Sequence, residues 1–200
     1  MKVAILGAGG HARTLINLLE LNQVEIEGIY DDNFDSGQEE FIEGHLLKGA
    51  YHAVPKKIKV VIAKGKPIDI IALSNRFNAQ LLNDNIIHPK AIIETENMNL
   101  RNQVSAQVYV SKTATIGIQN IIYSGTNVEH EAVIGDNNVV TVNVAICGRV
   151  KIGNECFLGA SSTILPGISI CDKVIIGAGA VVLKDINSNT TFVGNPAKQI

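Results

Sequence analysis

The sequence has only three cysteines and no run of basic residues, and both shortages narrow its possible functions. The formal net charge is −2 across 200 residues, so a nucleic-acid-binding surface is poorly supported. Cys147, Cys156 and Cys171 lack the spacing of a metal site. We interpret them as reduced core or corner residues rather than as disulfide partners, metal ligands or catalytic thiols, and we expect no metal.

Long apolar runs are also missing. The segment 68–73 is interrupted by Asp69 and is far too short to span a bilayer. Met1 leads directly into a predicted strand instead of a signal peptide. We therefore expect a cytoplasmic protein without a membrane span, and the 46% hydrophobic content is ample for the core of one or two domains.

The chain does contain an aliphatic residue at every sixth position from Val104 to Val182, without an insertion. These register residues are Val104, Val110, Ile116, Ile122, Val128, Ile134, Val140, Ile146, Ile152, Leu158, Ile164, Ile170, Ile176 and Val182. A helix has a period of about 3.6 and a lone strand a period of 2, so neither explains a period of six. A parallel β-helix does, with three hexads in each eighteen-residue coil and four to five coils in all. The same phase extends back to Ile92.

Small and β-branched residues predominate four positions after each register residue, which predicts a second inward-facing position in each hexad. Cys156 and Ser162 occupy two of these positions. Glycines directly follow several register residues, as at Gly117, Gly153 and Gly159. We expect these glycines to adopt corner conformations that other residues avoid.

The amino-terminal segment indicates a site for phosphate or a nucleotide. A buried strand at 2–6 is followed by the glycine-rich turn 7–12 and then by a helical pattern. Such a turn lets the backbone approach a diphosphate, while the helix start favours negative charge. A second strand, 26–30, ends at the acidic pair 31–32, where a dinucleotide fold places its ribose ligand. A nucleotide-sugar site, an NAD site and a purely structural turn all remain possible.

The rest of this segment is less clearly patterned. We predict a solvated loop or short helix in 34–55, which contains Asp35, and either a strand or a short helix in 60–63. Residues 69–73 are interpreted as a strand whose carboxyl end brings the polar residues Ser74, Asn75 and Arg76 to a ligand crevice, with Asn75 as the predicted substrate contact. Residues 78–83 are predicted to be helical, and Pro89 marks the entry to the repeat. The predicted domains are 1–86, an α/β half-Rossmann (βαβαβ) unit, and 87–200, the β-helix.

His130 is the only histidine inside the repeat, and it lies outside the inward-facing positions between Glu129 and Glu131. A carboxylate beside an exposed imidazole can fix its tautomer, as a general base requires. An ordinary surface histidine beside two glutamates is equally compatible with the residues alone.

The whole chain resembles the sialic acid O-acetyltransferase-like family of sugar acyltransferases, which includes nucleotide-sugar N-acetyltransferases of bacterial glycan synthesis. The resemblance rests on the glycine-rich turn, the acidic pair 31–32, the motif 87–89, the hexapeptide repeat and the closing motif 193–197. It implies that the β-helix is left-handed and assembles as a homotrimer. It also implies that His130 is the catalytic base and Glu131 its orienting acid.

The same resemblance implies an acetyl-CoA-dependent N-acetyltransferase that acts on a nucleotide-linked amino sugar, with a UDP-4-amino sugar as the expected substrate. O-acetylation of a sialic acid and a non-catalytic trimeric scaffold are the alternatives. The substrate-binding positions are Gly9, Gly10, His11, Asp31, Asp32 and Asn75, and those for the oxyanion and acetyl-CoA are Gly148, Gly159, Ala160, Ala178, Gly179 and Asn143. Where members of the family have a second histidine, this chain has Val139, so we expect an apolar cofactor contact there or a substitute such as Asn143.

Overall fold

The computed structural model describes residues 1–34 and 39–200, so Asp35 lies outside the described residues. The chain forms two compact units, Met1–Asn83 and Asp84–Ile200. The division falls three residues before the predicted boundary after residue 86, because Ile86 and Ile87 already pair with the second coil of the β-helix.

The first unit is an α/β sheet with two helices. Its elements are β1 (Lys2–Leu6), α1 (Gly10–Leu21), β2 (Glu25–Tyr30), β3 (Phe41–Ile42), β4 (His45–Gly49), a 3-10 turn (Tyr51–Ala53), β5 (Lys59–Ile62), α2 (Pro67–Phe77) and a second 3-10 turn (Asn78–Gln80). The strand order is β3-β4-β2-β1-β5, with β4, β2, β1 and β5 parallel. Among the described residues, no helix has the length and apolar character needed to cross a membrane.

Burial explains why β1 lies inside the sheet. Residues 3–6 are completely buried and all apolar, as expected for a parallel strand covered on both faces. Helix α1 buries Leu15, Leu18 and Leu19 at helical spacing. The predicted strand–turn–helix–strand start is therefore confirmed, and 60–63 is resolved as strand β5 with Ala63 just beyond its end.

The prediction of a strand at 69–73 is wrong, because these residues belong to helix α2. Pro67 occupies the first turn and Asp69 adds a favourable negative charge there. The buried positions Ile70, Leu73 and Phe77 follow the spacing of one helical face. Sequence reasoning also missed β4 inside the region predicted to be a loop or short helix, and only the 3-10 turn at 78–80 represents the predicted helix 78–83.

The second unit is a parallel β-helix with three faces. The first face contains Ile86–Ile87, Gln103–Val104, Ile121–Ile122, Val139–Val140, Phe157–Leu158, Ile175–Ile176, Thr191–Val193 and the antiparallel Lys198–Gln199. The second contains Ile92–Ile93, Tyr109–Val110, Asn127–Val128, Ala145–Ile146, Thr163–Ile164 and Val181–Val182. The third contains Thr115–Ile116, Val133–Ile134, Lys151–Ile152 and Ser169–Ile170. We call the corners after these faces the first, second and third corners.

The interior confirms the period of six. Every register residue from Val104 to Val182 is at most 3% exposed, and Cys156 and Ser162 are fully buried four positions after theirs. The extension of the phase to Ile92 is wrong: Ile92 is 59% exposed, and Ile93 pairs with Val110 seventeen residues later. The first coil is one residue shorter than the eighteen-residue coils that follow it, which moves the inward position by one. The last coil is two residues shorter, because Ile176 pairs with Phe192.

The glycines that follow register residues serve close packing rather than unusual backbone angles. None of Gly117, Gly153 and Gly159 has a positive φ. A Cβ on Gly159 would lie 2.5 Å from the backbone nitrogen of Ala178 in the next coil. The left-handed conformation occurs instead three positions after the register residues. Its non-glycine occupants there are Gln107, Gln119, Glu131, Asn137, Asn143, Arg149, Glu155, Ser161 and Lys173.

A ladder of buried asparagines links the coils at the third corner. The side-chain oxygen of Asn102 accepts the amide of Asn120 at 2.8 Å, that of Asn120 accepts the amide of Asn138 at 2.8 Å, and that of Asn138 accepts the amide of Cys156 at 2.7 Å. Asn120 and Asn138 occupy the second inward position of their hexads, where small and β-branched residues predominate. Their polarity is tolerated because each carbonyl is hydrogen-bonded to the next coil.

Candidate active site

His130 lies on the second corner, directly after the strand Asn127–Val128. Its side chain is 53% exposed, and its Nδ1 is 3.2 Å from Oε1 of Glu131. The turn is held independently of the imidazole, because the amide of Glu131 donates to the hydroxyl of Thr113 at 3.0 Å and the amide of Arg149 donates to the carbonyl of His130 at 2.9 Å. With Nδ1 bonded to the carboxylate, Nε2 is left as the ring nitrogen that can accept a proton.

Gly148 occupies the equivalent position one coil later and lies against the imidazole. A Cβ there would lie 2.5 Å from Cε1 of His130 and would collide with Nε2 as well. The carbonyl of Gly148 accepts the amide of Gly167 at 2.9 Å, while its own amide donates no hydrogen bond within the described chain. An imidazole and an uncommitted backbone amide thus adjoin each other, as an acyl-transfer site requires.

The other positions predicted to contact acetyl-CoA stack on the first corner. Gly159, Ala160, Ala178, Gly179 and Asn143 lie there in three successive coils. The amide of Gly179 donates to the carbonyl of Ala160 at 2.8 Å. Asn143 and Gly148 are five positions apart in the chain, so their Cα atoms are at most about 16–18 Å apart. One chain therefore places the predicted contacts on two different corners.

Val139 does not provide the expected apolar contact at the surface. It lies on the first face and is only 1% exposed, whereas Asn143 is exposed. The substitute suggested for the missing histidine is thus accessible, and the valine is not.

A second candidate site is a cleft of about 350 Å³ in the first unit. It is lined by Asp31, Asp32, Asn33, Tyr51, Lys64, Asp69, Ala72, Leu73 and Arg76. These residues come from the carboxyl ends of β2 and β5, the turn after β4 and helix α2. The cleft therefore lies where open parallel sheets usually bind ligands.

The carboxylate of Asp31 is occupied by hydrogen bonds within the protein and holds together the segments that line the cleft. Its Oδ2 accepts the amide of Ala8 at 3.0 Å and Lys64 Nζ at 2.9 Å, with the Tyr51 hydroxyl at 3.4 Å. Its Oδ1 accepts the amide and side chain of Asn33, both at 3.0 Å. Burial alone would raise the pKa of Asp31, but the hydrogen bonds from Asn33, Lys64 and Ala8 outweigh it and lower that pKa.

Asp32 is the more accessible acid, with its side chain 55% exposed. Its Oδ1 accepts the amide of Tyr51 at 2.9 Å, and its Oδ2 is 3.3 Å from Arg76. The guanidinium of Arg76 also lies 5.5 Å from the ring centre of Tyr51. The cleft therefore combines an aromatic ring with two cations, each of which is ion-paired to an aspartate, and the ring is suited to stacking on a nucleoside base.

Sequence reasoning missed Tyr51 and Lys64. It placed Arg76 at a ligand crevice together with Ser74 and Asn75, and Arg76 does line the cleft. It selected Asn75 on the basis of a strand that does not exist. In helix α2, Asn75 is exposed and is not among the residues that line the cleft. No local signal marks Tyr51 or Lys64.

The glycine-rich turn shows three different environments. Gly7 has φ +119° and a Cβ there would lie 2.5 Å from the carbonyl oxygen of Ala63, so only glycine fits. Gly9 and Gly10 are exposed, with open space where a Cβ would project. His11, in the first turn of α1, is only 7% exposed.

Cys147 directly precedes Gly148, and burial together with the charge of Glu129 raises the pKa of its thiol. Cys156 is fully buried, and burial raises the pKa of its thiol to about 11. All three are free thiols. Among residues 1–34 and 39–200, no group of three or more metal-binding side chains converges.

Comparison with known proteins supports both halves of this architecture. Residues 2–85 match the family described as the PglD N-terminal domain, and residues 149–184 match the hexapeptide repeat of succinyl-transferase. A search of curated proteins finds no match.

Solved structures match over the entire chain. A histidine-to-asparagine mutant of perosamine N-acetyltransferase from Caulobacter crescentus, in complex with CoA and GDP-perosamine, is 26% identical over 100% of this chain and 97% of that one, with a TM-score of 0.90. The acetyltransferase domain of PglB from Neisseria gonorrhoeae, in complex with acetyl coenzyme A, is 22% identical over 100% of this chain and 98% of that chain, with a TM-score of 0.88. WeeI from Acinetobacter baumannii is 20% identical over the whole of both chains, with a TM-score of 0.86.

The last two identities support the fold alone, while the first also supports the kind of enzyme. Together with the two family matches, they confirm a Rossmann-like amino-terminal unit followed by a left-handed β-helix. The chain is thus similar over its whole length to hexapeptide-repeat sugar acetyltransferases with a PglD-type amino-terminal domain, and it is an acyltransferase.

Proposed function

We propose that this protein transfers an acetyl group from acetyl-CoA to the amino group of a nucleotide-linked sugar. The observation that carries the proposal is the exposed His130, bonded to Glu131 on one ring nitrogen and adjoining Gly148 on the other side. The matched perosamine N-acetyltransferase, crystallised with CoA and GDP-perosamine, supports the same chemistry.

His130 acts as the general base. Glu131 holds the proton on Nδ1, so that Nε2 accepts the proton that the amine loses as it becomes an amide. Such a base contributes roughly 10²- to 10⁴-fold to the rate. The half-exposed position leaves Nε2 accessible to a substrate.

Gly148 stabilises negative charge on the acyl oxygen. Its amide has no other acceptor in the described chain, so it can donate a hydrogen bond as the charge develops. The absence of a side chain at this position is what allows the imidazole and the amide to adjoin.

Acetyl-CoA supplies the acetyl group as a thioester: its C–S bond breaks as the amide C–N bond forms, and CoA leaves as a thiol that takes up the proton held by His130. The exposed Asn143, the small residues Ala160 and Ala178, and Gly179 would bind its pantetheine arm along the first corner. Because these residues lie on a different corner from His130, we further propose a homotrimer in which one chain's first corner faces its neighbour's second corner. A monomer that is fully active at assay concentration, by light scattering, would contradict this assembly.

The nucleotide binds in the cleft of the first unit, whose lining includes Tyr51, Lys64 and Arg76. An NAD site would need Asp31 to bond a ribose, but its carboxylate already accepts five hydrogen bonds. We propose UDP as the nucleotide and a 4-amino sugar as the acceptor, with GDP as the competing choice that the perosamine relative suggests. Acetyl-CoA and nucleotide sugars occur together in the cytoplasm, where we place the enzyme.

The test is the identity of the product. The protein is incubated with acetyl-CoA and, in separate reactions, UDP-, dTDP- and GDP-linked amino sugars and free or CMP-linked sialic acid. Mass spectrometry and NMR then locate the new acetyl group. An amide on an amino-sugar nucleotide supports the proposal, whereas an ester formed only on sialic acid would replace it with O-acetylation.

A further inference from the structure

The peptide bond that joins His130 to Glu131 is held from both neighbouring coils. On one side, the carbonyl of His130 accepts the amide of Arg149 in the next coil at 2.9 Å. On the other side, the amide of Glu131 donates to the hydroxyl of Thr113 in the preceding coil at 3.0 Å. One of these two contacts is therefore made by the backbone alone, and the other depends on a side chain.

The contact with Thr113 departs from the hydrogen-bond pattern of the later corners. There, the amide of the residue three positions after a register residue donates to a backbone carbonyl nineteen residues earlier, as from Arg149 to His130. The first and third corners of these later coils follow the same pattern. It would direct the amide of Glu131 to the carbonyl of Lys112, but the acceptor is the side chain of Thr113.

The backbone conformation at Thr113 explains the departure. Glu131 and Arg149, at the equivalent positions of the next two coils, have φ values of +59° and +61°. Thr113 does not have a positive φ, as expected for a β-branched residue, which strongly disfavours the left-handed conformation. The corner at Thr113 therefore has a different shape, and its hydroxyl supplies the acceptor that a carbonyl supplies in later coils.

The position of the Glu131 carboxylate depends on this backbone contact. The left-handed conformation is unfavourable for glutamate, so hydrogen bonds to the backbone must hold it. The side chains of His130 and Glu131 are 53% and 59% exposed, and water competes with an ion pair as exposed as this one. Without the Thr113 hydroxyl, Glu131 could relax to an extended conformation that turns its carboxylate away from Nδ1.

We propose that Thr113 is a positioning residue for the general base. Its hydroxyl fixes the turn at Glu131, so that the carboxylate keeps the proton on Nδ1 of His130 and leaves Nε2 free to accept one. The inference rests on the proposed function, in which His130 is the base. Thr113 acts through Glu131 and is not itself a catalytic group.

The kinetic experiment compares wild type, Thr113→Val, Thr113→Ser and a matched control, Thr115→Val, in the full-length protein. Valine keeps the shape of threonine without its hydroxyl, and serine keeps the hydroxyl. Thr115 lies on the third face, and within residues 1–34 and 39–200 its hydroxyl forms no hydrogen bond. We expect Thr113→Val to lower kcat about threefold to tenfold, the scale of an exposed ion pair, without changing KM. Thr113→Ser and the control should behave like wild type.

The second measurement reports the tautomer of His130 directly. Nitrogen-15 NMR of histidine-labelled protein in alkaline buffer distinguishes a proton on Nδ1 from one on Nε2, and the signals of His130 are assigned by their loss in His130→Ala. We expect the Nδ1 tautomer in wild type, Thr113→Ser and Thr115→Val. Thr113→Val should show a mixture of the two tautomers, which a merely structural defect would not produce.

Wild-type kcat and tautomer in Thr113→Val would overturn the inference while leaving the proposed function standing. A slow Thr113→Val enzyme with an unchanged tautomer, or a Thr113→Ser enzyme as slow as Thr113→Val, would also overturn it. The tautomer is measured without substrate. Wild-type protein that releases no thiol with any amino-sugar nucleotide would therefore overturn the proposed function, while the tautomer in Thr113→Val would still decide whether Thr113 positions the imidazole through Glu131.

Discussion

The two candidate sites are built in opposite ways. At the second corner of the β-helix, His130 and Gly148 adjoin because they occupy the same position of a repeat, eighteen residues apart. In the first unit, Asp31 collects donors from Ala8, Tyr51 and Lys64, which no repeat relates. The positions of the residues at the β-helix site thus follow from the eighteen-residue coil alone. The positions of the residues at the Asp31 site depend on how the sheet and its connecting segments pack.

The two sites should therefore respond differently to mutation. The side chain of His130 is half exposed and therefore contributes little to packing. Replacing it should affect the proposed catalysis and leave the stability of the fold unchanged. The side chain of Asp31 is 6% exposed and joins three segments, so its loss should affect folding first. The predictions below test this contrast.

The largest effect is expected for His130→Ala. Removal of the general base should lower kcat about 10²- to 10⁴-fold and leave the melting temperature nearly unchanged. Steady-state thiol release and a thermal melt measure the two quantities, and His52→Ala, an exposed histidine of the first unit, serves as control. A fully active His130→Ala enzyme would show that another group takes the proton.

Asp31→Ala should instead reduce stability by about 3 kcal/mol, because Lys64 and the amide of Ala8 lose their partner in a largely buried site. Urea denaturation measures the loss, and Asp32→Ala, whose side chain is 55% exposed, should cost less than about 1 kcal/mol. Equal losses in the two variants would contradict the distinction between them.

The ionisation of Asp31 also makes the free energy of unfolding depend on pH. Its pKa is lowered in the folded protein, so its contribution is complete above the ordinary carboxyl pKa of about 4 and is lost as the pH falls through the folded value. The difference in unfolding free energy between wild type and Asp31→Asn should therefore narrow as the pH falls below about 4. A constant difference across this range would rule out ionised Asp31 as its source.

Gly148→Ala should lower kcat about tenfold to a hundredfold, because the added methyl group displaces the imidazole. Gly153→Ala is the matched control at the third corner, where the Cβ would lie 2.7 Å from the backbone nitrogen of Asp172 instead of against the proposed base. The control should lose about 2 kcal/mol of stability but keep its kcat. Similar activities for both variants would argue against a role for Gly148.

The smallest change in stability is expected for a glycine substitution at a non-glycine residue that has the left-handed backbone conformation. Ser161 has φ +58°, so Ser161→Gly relieves strain but increases the entropy of the unfolded chain. The two terms should cancel to within about 0.5 kcal/mol in a denaturation experiment. A loss as large as that of Gly153→Ala would contradict the assignment of corner glycines to close packing.

The β-helix could be predicted from sequence because each residue's environment follows from its position in the hexad. The register located the core, Cys156 and the exposed corner of His130 without any knowledge of tertiary packing. The interpretation failed where the repeat changes length, at Ile92, and where it attributed glycines to backbone angles.

The first unit was harder because its decisive contacts are distant in sequence. Lys64 reaches Asp31 across thirty-three residues, and the hydroxyl of Tyr51 across twenty. The aliphatic segment after Pro67 resembled a strand because β-branched isoleucines dominate it, although Ile68 is 73% exposed and Ile70 is buried. That error made Asn75 the predicted substrate contact, whereas its neighbour Arg76 is the residue that lines the cleft.

The measurement that tests the central claim most directly is the rate of thiol release from acetyl-CoA by the wild-type protein with each nucleotide-linked amino sugar. We predict rapid release with one such sugar, slow release with the others and none with free sialic acid. Release with sialic acid alone, or no release with any amino-sugar nucleotide, would contradict N-acetyl transfer as the function of this protein.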